Sequence, residues 1–585
     1  MKRQFKFTPT IKRPRTVFRK PYVHNTTFNT GKLIPICVQE MLPGQDIQVD
    51  VSSIIRGSTP LYPVLDNAYA EYHAFFVANR TVWEHWEAFI SGTGDPSEYS
   101  ETPQYVCPCI NIPSGASLVG TFWDYLGYGT AKMSSSSGPT ANSKPIQMPN
   151  ALYSRAYAKI WNEWFRDENY QQEILVPKTD ADYTVATSQA NASYASQNYT
   201  SQGAYGFALL PVNKFHDYFT SALPQAQKSP PITLPLAGTA PVSGRLIDPS
   251  VQNYFNSTAG MFSPVWYSAP NAPYTTSSVL TTDAQAKVGN QGIGTMVAEE
   301  TLNSTGDAYL KLGVVDTTVS GTADLTQATA ATVDQFALAV KTQMFYRTLA
   351  NSGSRYQEAL QGLFGIFTND VDLDRSQYLG GGRVPIVQHQ VAATAETSDG
   401  NLASTGAFSF TSGVTSVVKR PFVAQEHGMF FIFAYVRPDL SYSQGCPRFL
   451  ARRNRFDYYF PIFENIGEMP IYESEIYNDS SVVTENEIFG YKSPWVEYKV
   501  NNNINTCLMR PQVDNSYAEW NYGEIYSSKP SLNSAFITQG QASVDRTLRV
   551  ESGLSDQWIA SFYFDIRSAN IMHVNPNPNK LLIGG

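Results

Sequence analysis

The chain has little charge and little cysteine for its length. Charged residues make up 16% of its 585 residues, against about 25% in an ordinary soluble domain. Five cysteines are sparse and odd in number, so reduced thiols are expected instead of a disulfide framework. The longest apolar run falls far short of the ~20 residues that a transmembrane helix needs. The sequence therefore indicates neither a disulfide scaffold nor a membrane-inserted protein.

Sequence signatures of catalysis and of metal or cofactor binding are also missing. No histidine pair has HExxH spacing and there is no GxSxG elbow, and the glycine-rich stretch 378–383 lacks the Lys-Ser/Thr that grips phosphate. Cys107 and Cys109 lack a second half-site for zinc, and the alternating aspartates of 370–374 lack the glycine and glutamate of a calcium loop. We expect no enzyme, no metal and no cofactor, although a Ser-His-Asp triad assembled in space stays open.

What the chain does have is an uneven distribution of charge. The formal net charge is −8, yet the first twenty residues carry eight basic side chains and no acidic one. Phenylalanines are interleaved with these cations and prolines keep the segment extended, so it can neutralise phosphates and stack on unpaired bases. A solvated tail or a localisation signal is the alternative. The predicted contacts to single-stranded nucleic acid are Lys2, Arg3, Lys6, Lys12, Arg13, Arg15, Arg19 and Lys20.

Strand patterns occur near both ends of the chain. Residues 47–51 and 558–566 alternate between apolar and polar side chains, which predicts strands with one buried face. Residues 68–78 and 429–436 are apolar at nearly every position, which predicts strands buried on both faces. Because early and late strands are expected to share one sheet system, the pattern favours a sandwich or a jelly roll.

Helical spacing appears in three places between these strands. Residues 82–90 and 152–165 carry apolar stripes that are expected to face the core, and Asn150 is placed to cap the second stripe. A longer helix is predicted to end at Gly353, with a second helix directly after it. Residues 493–501 are predicted to be a strand.

The predicted organisation has four parts. Residues 1–31 form a basic extended arm, and residues 32–177 form the first part of a β core with helices. Residues 178–331 are dominated by small polar residues and predict long inserted loops, which are uncommon unless they carry function. Residues 332–585 form the second part of the core with helices.

Several segments together resemble one protein family, the major capsid proteins of the Microviridae in their gokushovirus branch. The segment LIPICVQEMLPGQDIQVDV follows His24–Gly31, and SRYQEALQGLFGIF precedes SQYLGGGRVPI. The longest resembling stretch is Glu426–Glu468, which begins EHGMFFIFAYVRPDL. FGYKSPWVEYKVN and PSLNSAFI continue the resemblance, which leaves out residues 178–331.

The resemblance implies a mainly β protein with a single eight-stranded antiparallel jelly roll, long loop insertions and a few helices. It implies self-assembly into a T=1 icosahedral shell around circular single-stranded DNA, with the basic arm inside and the inserted loops outside. The implied partners are copies of the chain itself, the packaged DNA, phage scaffolding and pilot proteins, and a host surface receptor. The implied location is the virion, assembled in the host bacterial cytoplasm.

Two alternatives from other classes stay open. One is a carbohydrate-binding, lectin-like jelly-roll protein whose tyrosine-rich insertions form a sugar platform. The other is a monomeric protein that binds single-stranded DNA. Both predict small particles in solution, whereas a capsid protein predicts very large ones.

Overall fold

The computed structural model divides the chain into two units, which are described separately. The first unit comprises Met1–Ser229 and Phe345–Gly585, and the second comprises Pro230–Met344. The residues that the structure describes are 15–91, 105–112, 118–129, 147–185, 208–229, 239–245, 253–256, 263–266, 296–302, 308–314, 318–324, 333–353, 355–391, 406–418, 421–464, 467–484, 486–549, 555–572 and 574.

Strands account for most of the regular structure in these residues. In chain order they are β1 (Thr16–Arg19), β2 (Tyr22–Phe28), β3 (Ile34–Met41), β4 (Asp46–Gly57), β5 (Ala68–Ala78), β6 (Ile110–Asn111), β7 (Tyr183–Thr184), β8 (Thr239–Arg245), β9 (Asn253–Asn256), β10 (Ser263–Trp266), β11 (Met296–Leu302), β12 (Ala308–Val314), β13 (Thr318–Asp324), β14 (Gln377–Val391), β15 (Gly406–Ser416), β16 (Phe422–Val423), β17 (Gly428–Pro438), β18 (Met469–Tyr472), β19 (Ile488–Lys492) and β20 (Trp558–Asn570).

The helices are fewer, and several have a single turn. In chain order they are α1 (Trp86–Ser91), α2 (Phe122–Tyr125), α3 (Ala151–Ile160), α4 (Val333–Ser352), α5 (Tyr356–Phe364), α6 (Arg448–Ala451), α7 (Ser534–Ile537) and α8 (Ala542–Asp545). None of the described helices is long and apolar enough to cross a membrane. The prediction of a mainly β, antiparallel protein with a few helices is confirmed.

One large antiparallel sheet organises the first unit. Among the described residues ten strands belong to it, in the order β1-β20-β4-β15-β14-β5-β17-β3, with β2 also on β20 and β16 on β4. The long strand β14 joins the two halves of this sheet. Its residues 377–386 pair with β5, and its residues 387–391 pair with β15.

The two halves of the sheet pack against each other. One buried cluster contains Phe430 from β17 together with Phe562 and Phe564 from β20. The ring of Tyr72 on β5 meets Phe562 edge to face, and its hydroxyl donates to Ser53 Oγ on β4 at 2.7 Å. The sheet therefore folds over into a sandwich whose interior is filled by alternate residues of both halves.

A layer of helices and loops covers the other side of β5 and β17. Phe75, Phe431 and Phe433 point into this second core, where they pack with Leu152 and Tyr157 of α3. The Tyr157 hydroxyl donates to the Leu33 carbonyl at 2.7 Å, which ties the helix to the sheet. Because both faces of β5 and β17 are buried, their sequences are apolar at nearly every position, as predicted.

A smaller third core lies in the C-terminal part of the first unit. Phe219, Tyr442 and Phe489 are buried there with Phe536 of α7. Strands β18 and β19 form an antiparallel pair beside it. Residues 208–229, which lie in the stretch predicted to be inserted loops, contribute to this core and to the second one.

The second unit contains two small antiparallel sheets. Strands β8 and β13 pair with each other. Strands β9 to β12 form a four-stranded sheet in the order β10-β9-β12-β11. The four-part division of the chain stays a prediction.

Several local predictions are confirmed. The Asn150 side chain accepts a hydrogen bond from the Leu152 amide at 2.8 Å and so caps α3. Helix α4 ends at Ser352, and Gly353 follows with a φ of 98°, a conformation that suits glycine. Alternate residues of β4 and β20 are buried as expected.

Two local predictions are wrong. The helix expected over residues 82–90 begins only at Trp86, and Phe89 and Ile90 are 40% and 52% exposed instead of facing the core. The buried Trp83 indole donates to Asp180 at 2.6 Å, which holds this stretch in a turn. Residues 493–501 form no strand, because a proline removes a ladder donor and Trp495 adopts a φ of 58° before a 3₁₀ turn.

Candidate nucleic-acid and assembly interface

The end of the basic arm is built into the large sheet. Strand β2 pairs with the first half of β20, from Phe28 opposite Trp558 to Tyr22 opposite Phe564. Strand β1 pairs with the second half of β20, with Thr16 opposite Asn570. Residues 16–28 are therefore fixed by backbone hydrogen bonds to the last strand of the chain.

The predicted DNA-binding cations fall into three groups. Arg19 is engaged by Asp565: its Nε and Nη2 lie 2.8 Å from the two carboxylate oxygens. Arg15 and Lys20 are exposed, and neither side chain makes an ion pair with another described residue. The other five lie outside the described residues: Lys2, Arg3, Lys6, Lys12 and Arg13.

The entry into β1 and the exit from β20 lie at the same end of the sheet. Thr16 opposes Asn570, and the next residues, Ile571 and Met572, are about half exposed. A Cβ on Gly44 would touch Ile571 at 3.1 Å and the Arg15 guanidinium at 3.9 Å, so all three groups lie together. Both ends of the described chain therefore reach one corner of the sandwich.

The outward face of this part of the sheet is open but not strongly basic. Val17, Val23, Ile559 and Tyr563 are 40–70% exposed, and a cavity of about 560 Å³ lies between β2, β4 and β20. The hydrogen bonds and charge of Arg19 lower the pKa of Asp565, which therefore stays ionised and offsets that cation. Of the eight cations in the first twenty residues, six precede β1 in the sequence.

A buried polar network crosses three strands beneath the second core. Glu71 on β5 accepts hydrogen bonds from Arg437 at 2.6 Å and from the Tyr435 hydroxyl at 2.7 Å. His73 bonds through one ring nitrogen to Tyr435 and through the other to Tyr378. Burial favours a raised pKa for Glu71, but the contact with His73 at 3.8 Å, the charge of Arg437 and the hydrogen bonds from Tyr435 and Arg437 outweigh it and lower the pKa to about 2. His73 is thus hydrogen-bonded through both ring nitrogens, and its side chain is 26% exposed.

The acidic and thiol groups considered for metal binding have other partners. Asp370 pairs with Arg375 at 3.5 Å, and Asp374 pairs with Arg80 at 2.5 Å. Burial raises the pKa of the Cys107 thiol to about 11, which disfavours the thiolate that zinc requires. Within the described residues no group of three or more His, Cys, Asp or Glu side chains is arranged to hold a metal ion.

Sequence reasoning missed two features of these surfaces. It treated residues 16–28 as part of an extended arm and did not assign them to the sheet, whereas Tyr22–Phe28 alternates between inward and outward side chains as a strand does. It also read Arg448–Ala451 and the aromatic residues after it only as part of a family resemblance. Many of these side chains are exposed, and the combination of arginine with aromatics is the signal that could have marked them as an interface.

The large antiparallel sandwich places the chain among the mainly β proteins. The family described as capsid protein (F protein) matches residues 7–579. The chain therefore belongs to this capsid protein family, which confirms the resemblance to the capsid proteins of the Microviridae. Membership indicates a structural role, and it indicates the virion as the location.

Three related proteins match this chain along nearly their whole length. Capsid protein VP1 of Chlamydia phage 1 is 30% identical, over 99% of this chain and 98% of the relative. Capsid protein VP1 of Bdellovibrio phage phiMH2K is also 30% identical, over 97% and 95%. Capsid protein VP1 of Spiroplasma virus 4 is 31% identical, over 92% and 90%.

Proposed function

We propose that the chain is the shell subunit of a small icosahedral virion, in which copies form a T=1 capsid around circular single-stranded DNA. The observation that carries this proposal is the end-to-end similarity to three VP1 capsid proteins. A shared sandwich alone would be compatible with many functions. Because the similarity extends over both parts of the core and over the insertions, we propose the same assembly role for this chain. We propose no catalytic activity for it.

The core of the subunit, in this proposal, is a single eight-stranded jelly roll. Support comes from the way β14 passes from one half of the sheet to the other, so that the halves enclose one hydrophobic core. Strands from the two ends of the chain alternate within each half, since β20 lies beside β4 and β17 lies between β3 and β5. Such non-local order is typical of jelly rolls.

The basic arm provides the contact with the genome in this proposal. Eight cations in twenty residues would neutralise phosphates and release counterions whatever the DNA sequence. Arg15 and Lys20 support this role because both are exposed at the root of the arm. Arg19 contributes least, since Asp565 already offsets its charge. The proposed contacts are Lys2, Arg3, Lys6, Lys12, Arg13, Arg15, Lys20 and, more weakly, Arg19.

The remaining partners follow from the same role. Within residues 178–331, the part from residue 230 onward would form the outer protrusion and would meet a host surface receptor, because residues 208–229 contribute to the second and third cores. Scaffolding and pilot proteins would bind the subunit during assembly in the bacterial cytoplasm. The small polar composition of this stretch suits a surface that is remodelled between relatives without disturbing a core.

Particle size and DNA content test the proposal. The expressed chain should sediment as a very large particle, appear as a closed shell in electron micrographs and protect DNA from nuclease. Deletion of residues 2–14 should leave shells that contain much less DNA. A lectin-like protein or a monomeric DNA-binding protein would instead stay a small species. Complete loss of shells on this deletion would contradict the assignment of the arm to DNA.

A further inference from the structure

One segment of the first unit exposes far more apolar surface than the rest of its neighbourhood. Residues 447–464 lie in the connection between β17 and β18 and contain α6. The segment carries four phenylalanines, two tyrosines, four arginines and no lysine. Its most exposed large side chains are Phe449 (65%), Leu450 (65%), Phe456 (64%), Tyr458 (50%) and Ile462 (83%).

The segment is held in place by polar contacts although its apolar side chains face outward. Asp457 accepts hydrogen bonds from the amides of Arg453 at 2.8 Å and Asn454 at 2.6 Å. Arg452 binds Glu497 at 3.0 Å, and the Trp495 indole donates to the carbonyl of Phe463 at 3.1 Å. Its apolar side chains are thus presented on a fixed backbone, which lowers the entropy that a partner must remove on binding.

The exposed area is comparable to that of the largest apolar patch on an ordinary monomer, which is often a functional surface. A large side chain covers about 150–250 Å² when fully exposed. At the exposures given above, the five side chains therefore present on the order of 500 Å². The largest apolar patch on an ordinary monomer is about 300–600 Å², and a stable interface buries about 800 Å² on each partner. These five side chains alone supply more than half of such an interface.

The charges near the segment favour a protein partner over a nucleic acid. Its four arginines are matched by four carboxylates, two within the segment and two from neighbouring loops. Glu475 and Glu497 lie 3.6–3.8 Å from Arg448, and Glu497 also pairs with Arg452. A phosphate backbone needs a strongly positive surface, whereas this surface, with Arg510 of the adjoining cavity included, carries five arginines against four carboxylates and is close to neutral. The matched carboxylates are Asp457, Glu464, Glu475 and Glu497.

A cavity adjoins the segment and offers a matching recess. It has a volume of about 570 Å³, and Phe449 and Leu450 form part of its wall. Tyr498, Val500 and Ile504, which are 43–65% exposed, line the same cavity. Protruding side chains beside an apolar recess are the two components of an interface in which each subunit inserts into the next.

We propose that residues 447–464 and the adjoining cavity form a contact surface between copies of this chain. The proposal rests on the proposed assembly function and names the surface that performs it. Arginine and aromatic residues without lysine are the composition of protein interfaces, and their aromatic side chains are typical centres of binding energy. The partner that we propose for this surface is therefore a second copy of the chain, which contacts the segment in the assembled shell.

Charge inserted at two exposed positions tests the proposal. The double variant Phe456→Glu with Ile462→Glu should fold, because both side chains point outward, but its particle yield in sedimentation should fall at least tenfold. Val482→Glu is the matched control, since Val482 is 52% exposed in a different loop, and it should assemble as the native chain does. Particles of normal yield from the double variant would overturn the proposal.

A second measurement covers the case in which the double variant does not fold. Hydrogen exchange of the native chain should show strong protection of residues 447–464 in intact shells and its loss in dissociated subunits. Protection that is present only when DNA is inside, and absent from emptied shells, would assign the surface to DNA and refute the proposal. If the native chain forms no shells at all, the proposed function itself fails. If it forms shells in which this segment stays unprotected, only the present inference fails.

Discussion

Arg19 and Asp565 form a two-point ion pair between the first strand and the last strand of the large sheet. The two nitrogen–oxygen distances are both 2.8 Å, and 546 residues separate the partners along the chain. Planar guanidinium and carboxylate groups match in this geometry. The contact has two consequences: it helps to fix the root of the basic arm on β20, and it offsets the charge of one of the eight cations for which we propose contact with DNA.

The first prediction concerns the difference between Arg19, whose charge Asp565 offsets, and the cations that precede β1. Arg19→Ala should leave the salt dependence of binding to a single-stranded oligonucleotide nearly unchanged. The triple variant Lys2→Ala, Arg3→Ala, Lys6→Ala should lower the slope of log affinity against log salt by about 2, since each phosphate contact contributes about 0.7. Titrations of purified subunits at several salt concentrations measure both slopes. Equal losses per residue would show that Asp565 does not offset Arg19.

The pairing of residues 16–28 with the last strand could not be predicted from the sequence. The alternation within Tyr22–Phe28 is short and includes two threonines, an asparagine and a histidine, so it gives a weak strand signal. What makes it a strand is a register with Phe564 and Trp558. A partner more than 500 residues away leaves no local trace, so the pairing could not be read from the sequence.

Stronger local patterns did identify their elements. Residues 68–78 and 429–436 read as strands buried on both faces, because the sandwich core covers one side and the helical layer covers the other. The exposed surface at residues 447–464 could not be recognised in the same way. Phenylalanine and isoleucine indicate burial, but sequence does not say whether the covering atoms come from the same chain or from another copy.

A second prediction concerns the buried carboxyl group of Glu473. The residue is 4% exposed, and its Oε1 has no hydrogen-bond partner among the described residues. Burial raises its pKa from 4.5 to about 7. The folded state therefore binds more protons than the unfolded state between these values, and the stability of the protein should fall as pH rises from about 4.5 to 7.

The substitution Glu473→Gln should remove this loss of stability at higher pH. The variant should match the native chain near pH 4.5 and should be more stable at pH 8, on the order of 1–3 kcal/mol. Denaturant unfolding at the two pH values measures the difference. Glu487→Gln is the control, and its effect on stability should have the opposite dependence on pH. The reason is that the hydrogen bond from Lys529 lowers the pKa of Glu487 instead of raising it. If Glu473→Gln has the same effect at both pH values, the carboxyl group does not titrate in this range.

A third prediction concerns the ion pair between Glu71 and Arg437. Glu71→Gln leaves the largely buried guanidinium without its counter-charge, which should cost about 3 kcal/mol or more near neutral pH. The pKa of Glu71 is lowered to about 2, so this stabilisation is present above pH 4.5 and is lost as pH falls towards 2. The difference between native and variant unfolding free energies should therefore shrink at low pH. Tyr435→Phe removes the hydrogen bonds of the hydroxyl to Glu71 and His73 but keeps the ion pair, and it should cost less, about 1–2 kcal/mol.

The fourth prediction concerns Gly31, which lies between β2 and β3 in the loop that joins the two halves of the sandwich. Its φ is 74°, and a Cβ at this position would collide with the carbonyl oxygen of Gln539. The Gly31 carbonyl accepts a hydrogen bond from the Val212 amide at 2.8 Å, so the loop has little freedom to move away.

Gly31→Ala should therefore destabilise the subunit by about 2 kcal/mol or more, from the left-handed backbone and the close approach together. Gly129→Ala is the matched control, since a Cβ at Gly129 would meet no atom within 4 Å, and it should change stability by no more than about 0.5 kcal/mol. Urea unfolding of both variants provides the comparison. Equal urea midpoints for the two variants would mean that the loop can move to accommodate a methyl group. In that case the hydrogen bonds around Gly31 do not fix its conformation.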